Sequence, residues 1–228
     1  GGGKFVKIMC HIYPTLKCNL KCKFCYVNAN REIPCTTIDF GKIATFLDDL
    51  DLAFIHIEGG EPFIDNNVFK FLSKLKYRDN ISIVTNGLFI NDLILDELKK
   101  QKINQLVFSV DGKESSHILL RGKCDYDLIF QNIKKSVNAG FKVTVTQTIT
   151  KNNISDMEYI TDFFSSMGVK SIRFGEMLEI GRGKECTELH LDEMDIDKVL
   201  VNFERIVDKY LIDVKLSLKS NFTLKNKI

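Results

Sequence analysis

The chain reads as an α/β protein, a partial (β/α)6 TIM-like barrel with parallel strands, and three observations lead there. Short apolar runs alternate with longer amphipathic ones along most of the 228 residues. The short runs are almost continuously apolar, as in strands covered on both faces. Strand–helix units in series make the strands parallel, and right-handed crossovers curl such a sheet toward a barrel.

The expected strands are Phe5–Tyr13, Ala53–Ile57, Ile81–Thr85, Gln105–Val110, Lys142–Thr148 and Ser171–Phe174. The expected helices are Ile38–Leu50, Asn67–Lys76, Asp92–Lys100, Tyr126–Ala139, Asp156–Met167 and Asp195–Leu211. Asn91 or Asp92 can open the third helix, and Asn138-Ala139-Gly140 supplies a glycine stop for the fourth. Residues 1–4 are set aside as an expression scar or a trimmed start. Residues 5–210 then form one core, and 211–228 are a last strand or a linker and tail. In such folds ligands bind at the C-terminal ends of strands, so candidate site residues are sought there.

Composition narrows the class. At 44% hydrophobic the chain can bury a core without disulfides. With 32 basic against 30 acidic residues it lacks the basic bias of a nucleic-acid or membrane-surface protein. No run of about 18 apolar residues offers a membrane span, and no signal-peptide pattern opens the chain, so a cytoplasmic protein is expected. Seven cysteines are an odd number, and three of them crowd into one short loop. That suits a metal site in a reducing compartment better than a disulfide framework.

The loop is Thr15-Leu-Lys-Cys18-Asn-Leu-Lys-Cys22-Lys-Phe-Cys25-Tyr, directly after the first strand. Three thiolates there can bind three irons of a cubane and leave the fourth without a protein ligand. Zinc would want a fourth nearby ligand, which Cys35 or His11 could supply. The second feature is Glu58-Gly59-Gly60-Glu61-Pro62 at the end of the second strand. Its glycines leave backbone open to a ligand, and Pro62 fixes the exit of the chain. Thr85-Asn86-Gly87 and Ser109-Val-Asp111-Gly112 end the next two strands, and each also reads as a plain turn. Arg121 is either a carboxylate fork or a solvated loop arginine. Cys10 reads as a small core residue, and Cys35 and Cys124 as loop thiols.

Cys-x3-Cys-x-aromatic-Cys followed by Gly-Gly-Glu-Pro resembles the radical S-adenosylmethionine superfamily. The resemblance implies a [4Fe–4S] cluster on Cys18, Cys22 and Cys25, with S-adenosylmethionine on its open iron. It sets Phe24 and Tyr26 beside the cofactor, and gives Gly59, Gly60, Glu61 and Pro62 its amino group. Thr85, Asn86, Ser109, Asp111, Arg121 and Gln147 are its further candidate contacts. One electron from a donor such as flavodoxin or ferredoxin would cleave the sulfonium to a 5′-deoxyadenosyl radical.

Asn153 and Gly181-Arg182-Gly183 resemble the peptide-modifying branch, whose core usually precedes a cysteine-rich extension of SPASM or twitch type. Here no cysteine follows Cys186. Cys186 or Cys124 could donate a hydrogen atom to a substrate radical. The expectation is therefore a maturase acting on a ribosomally made peptide, by thioether or carbon–carbon crosslinking or epimerisation. A small-molecule or nucleotide substrate is the alternative, and a non-catalytic iron–sulfur or metal protein is the third reading.

Overall fold

A computed structural model describes residues 8–32, 38–50, 52–76 and 80–219. Cys35, the first three residues of the expected first strand and the tail from residue 220 lie outside the described residues. Among the described residues seven strands form one sheet in chain order, every neighbouring pair parallel: β1 (Ile8–Thr15), β2 (Leu52–Gly59), β3 (Ile81–Thr85), β4 (Gln105–Ser109), β5 (Lys142–Ile149), β6 (Ser171–Glu176) and β7 (Asp213–Ser217). β1 and β7 are the two edges, so the sheet is an open, partial TIM-like barrel. β7 falls in the stretch 211–228, expected as a last strand or a linker, and joins the six other strands. Its core-facing residues Val214 and Leu216 alternate with more exposed neighbours.

The described residues form seven α-helices between or after the strands: α1 (Phe40–Asp48), α2 (Asn67–Leu72), α3 (Asp92–Lys100), α4 (Glu114–Arg121), α5 (Tyr126–Asn138), α6 (Met157–Ser166) and α7 (Glu193–Lys209). Local chemistry sets several of their ends. The Asn91 side chain accepts from the Ile94 N–H at 3.0 Å, and Asp125 does the same for Leu128 at 2.9 Å. Asp192 and Asp195 form a reciprocal capping box at the start of α7. Gly140, at φ +87°, ends the reach of α5.

Alternation along the strands decides which face each side chain takes. Ile55 and Ile57 of β2, Leu106 and Phe108 of β4, Val143 and Val145 of β5, and Ile172 and Phe174 of β6 are buried against the helices. The inner face of the half-barrel therefore carries the intervening residues, many of them polar. The helix α4 lies in what was expected to be loop. Arg121 is its last residue and is buried, so the solvated-loop reading of Arg121 does not hold. The run Glu114-Ser-Ser-His has no apolar period, which is why sequence patterning passes over it.

Candidate active site

The C-terminal ends of β1 to β6 open into one cavity, and the cysteine loop forms its wall. Cys18, Cys22 and Cys25 all line it. Two of the sulfurs accept backbone N–H groups from the loop itself, Leu20 to Cys18 at 3.4 Å and Ala29 to Cys25 at 3.3 Å. The third, on Cys22, faces the Arg121 guanidinium at 3.9 Å. Burial pushes the Cys18 thiol up to about 11, and it raises Cys22 against the opposing pull of Arg121. Without a metal these thiols keep their protons, so binding an iron centre must displace them. Among the described residues no three His, Cys, Asp or Glu side chains converge on a single ion. Three thiols spread around one cavity, ringed by N–H donors, fit the corners of an iron–sulfur cubane better than a closed mononuclear zinc site.

The loop is held by residues far away in sequence. Arg182 donates to the Cys22 carbonyl at 2.8 Å, the Ala29 carbonyl at 2.9 Å and the Asn28 side chain at 3.0 Å. A Cβ at Gly181 (φ +58°) would lie 2.4 Å from the Cys25 and Tyr26 carbonyls, so the glycine lets Arg182 reach in. Asn30 closes the loop by a two-way bond with Cys18, its carbonyl oxygen 2.8 Å from the Cys18 nitrogen and its amide 2.9 Å from the Cys18 carbonyl.

The Gly59-Gly60 shelf has a second role besides facing the cavity. A Cβ at Gly60 would come within 2.0 Å of the Lys17 carbonyl, because the cysteine loop lies directly on it. Gly60 N–H donates to Thr15 at 3.0 Å and Glu61 N–H to Lys17 at 2.8 Å, stitching the two motifs together.

Glu61 is buried at the centre of this arrangement. It accepts from Thr85 Oγ1 at 2.8 Å, from the Asn86 N–H at 2.8 Å and from the Phe63 N–H at 3.2 Å. Burial outweighs those bonds and holds its carboxyl at about 7. Asn86 also donates to Asn19 in the cysteine loop at 2.8 Å.

The expected contacts divide in two. Phe24, Tyr26, Gly59, Gly60, Glu61, Thr85, Asn86, Ser109, Arg121 and Gln147 border the cavity with the three cysteines. Gln147 follows the alternation of Val143 and Val145, so although the residue borders the cavity its side chain is turned toward the helix side, where its amide donates to the Asn153 carbonyl at 2.9 Å. Pro62, Asp111, Cys124 and Cys186 do not line the cavity. Pro62 starts a 3₁₀ turn below the shelf. Asp111 is fully buried and acts one step back, bound by Arg121 Nε at 2.5 Å and by the Thr148 N–H at 2.8 Å. Its hold aims the Arg121 guanidinium over the Phe24 ring, 5.5 Å from the centroid, and toward Cys22. Cys124 follows α4 and packs on the main core, while Cys186 packs beside Phe24, Leu120, Met177 and Leu189.

Three charged residues line the cavity that were not among the expected contacts: Glu58, Glu176 and Arg182. A charge between the apolar end of β2 and two glycines was the available signal for Glu58. For Arg182 it was the flanking pair of glycines.

The fold and this thiol-lined, strand-end cavity define an α/β half-barrel whose three loop cysteines fit an iron–sulfur cluster. The sequence pattern of the Radical SAM superfamily matches residues 12–164. The chain belongs to that superfamily, whose members use S-adenosylmethionine and an iron–sulfur cluster. Among curated relatives it is 25% identical over 190 residues to the probable GTP 3′,8-cyclase of Sulfurisphaera tokodaii, covering 80% of this chain and 60% of that one. It is 27% identical over 198 residues to the sporulation killing factor maturation protein SkfB of Bacillus subtilis, covering 83% and 48%. Streptococcus suis SuiB bound to S-adenosylmethionine superposes at a TM-score of 0.77 and 20% identity, covering 94% of this chain and 51% of that one. The chain thus spans about half to three-fifths of the length of these relatives.

Proposed function

We propose that the chain carries the catalytic core of a peptide-modifying radical enzyme. Cys18, Cys22 and Cys25 hold a [4Fe–4S] cluster, and S-adenosylmethionine occupies the cavity beside it. The bound cluster supplies one electron and so generates the radical chemistry. The protein's own part is position and shielding. Glu61 and the Gly59-Gly60 shelf face the amino end of the cofactor, and Arg121 offers a fork for its carboxylate. Phe24 and Tyr26 flank the ring system. The observation that carries this reading is the single cavity lined at once by the three thiols and Gly59-Gly60-Glu61.

For a peptide substrate the support is the open side of the half-barrel. Among the described residues β1 and β7 are the sheet edges, and Met9 and Tyr13 on β1 are exposed. The likeness to SkfB and to the subtilosin biosynthesis protein AlbA of Bacillus subtilis adds to it. A small-molecule substrate is the second reading, favoured by the comparable likeness to GTP 3′,8-cyclases. The test is anaerobic incubation with S-adenosylmethionine, a low-potential reductant and a short peptide encoded beside the gene. A mass change or deuterium exchange in the peptide supports the reading. Turnover of GTP with no change in any such peptide would replace it with the second.

A further inference from the structure

The inner wall below the cofactor cavity carries a charge that the chain itself does not neutralise. Arg173 sits on β6 between the core residues Ile172 and Phe174, so it faces the lumen. Among the described residues it makes no hydrogen bond or ion pair, and its Nε is buried without a partner. It pairs in register with Thr146 and lies two residues below Gly175, both of which line the cofactor cavity. Arg173 is thus level with Thr146 at the cavity floor and one inner-face step, about 7 Å, below Gly175.

The facing wall is built to receive something. His56 lies on β2 between the core residues Ile55 and Ile57, one inner-face step below Glu58, which lines the cavity. Its Nδ1 is fixed by Ser82 Oγ at 2.7 Å, and its ring stacks on His11 with centroids 5.2 Å apart. His11 Nδ1 in turn binds Glu58 at 2.5 Å. Burial lowers the His56 pKa, and the neighbouring His11 and the Arg173 charge push it the same way. An imidazole fixed by Ser82 and His11 thus shares the lumen with an unpaired, half-buried guanidinium. Leaving such a cation unpaired is costly, and a planar fork matches a carboxylate bidentately.

We propose that Arg173, with His56 facing it, anchors one carboxylate of the substrate directly below the cofactor cavity. This deepens the peptide reading above and rests on it. The anchored group is an acidic side chain or the C-terminal carboxylate of the peptide, and carbons a few bonds away then lie level with the cofactor. A polyphosphate fits less well, because the wall offers one unpaired cation and adds the negative charge of Glu58.

The test is calorimetric titration of the reconstituted protein with N-acetyl-Ala-Glu-Ala-amide, its Gln counterpart and inorganic tripolyphosphate. The Glu peptide should bind about ten- to a hundredfold more tightly than the Gln peptide. Arg173→Met should erase that difference, and Arg173→Lys should keep part of it. Equal binding of the two peptides to the wild-type protein overturns the inference, and this comparison stands even if the Met variant does not fold. Tighter, Arg173-dependent binding of tripolyphosphate overturns it too, in favour of a phosphate ligand. Release of 5′-deoxyadenosine by the wild-type protein without peptide is measured in parallel. Its absence strikes the reading of the whole site, whereas its presence with indifferent peptides strikes only the carboxylate anchor.

Discussion

Replacing Glu61 with Gln should change how the stability of the metal-free protein depends on pH. Burial raises the Glu61 carboxyl from an ordinary 4.5 to about 7. Between those values the unfolded chain loses a proton that the folded chain keeps, so this contribution is fully present below about 4.5 and is lost as pH rises through about 7. A full shift of that size corresponds to about 3 kcal/mol, of which about 2.5 kcal/mol falls between pH 5 and pH 8. Gln carries no proton to lose, so its stability should not follow that slope. At pH 5 the variant should be weaker by about 1 kcal/mol, because its amide cannot accept from Thr85, Asn86 and Phe63 as the carboxyl does. By pH 8 the order should level or reverse. Urea unfolding of both proteins at pH 5, 6, 7 and 8 measures this. Parallel curves would show that Glu61 is not a buried group of raised pKa.

Other perturbations probe the rest of the site. At pH 6, binding of S-adenosylmethionine to the cluster-loaded protein should release close to one proton, since a nearby ammonium favours the ionised Glu61; titration in buffers of different ionisation enthalpy reads this directly. Gly60→Ala should cost more than about 4 kcal/mol or block folding, because the Lys17 carbonyl occupies the place of the new methyl group. Asp111→Asn should destabilise by about 3–5 kcal/mol, measured by chemical unfolding, because Arg121 is left as a buried unpaired cation. Arg182→Ala should cost about 2–4 kcal/mol and lower the iron retained after reconstitution, since three anchors of the cysteine loop go with it.

Much of this architecture could be read in the chain because parallel strands advertise themselves. Ile81–Thr85 and Gln105–Ser109 are mostly apolar runs buried on both faces, and their ends carry the Asn-Gly and Asp-Gly turns that locate the cavity. What was illegible depended on contacts distant in sequence. Asp111 looks like a ligand at a strand end, yet it serves Arg121 ten residues on. Arg121 in turn sits on a helix too polar to announce itself. Arg182 clamps a loop some 160 residues earlier, a relation that no local period contains. The two glycines of the shelf have an obvious role toward a ligand and a hidden one toward the backbone of Lys17.

The most direct test of the account is anaerobic incubation of the iron- and sulfide-reconstituted protein with S-adenosylmethionine and dithionite. The account predicts methionine and 5′-deoxyadenosine in equal amounts, and loss of both activity and bound iron when Cys18, Cys22 or Cys25 is changed to Ser. A protein that retains zinc instead, or holds its iron and yields no 5′-deoxyadenosine, would contradict it.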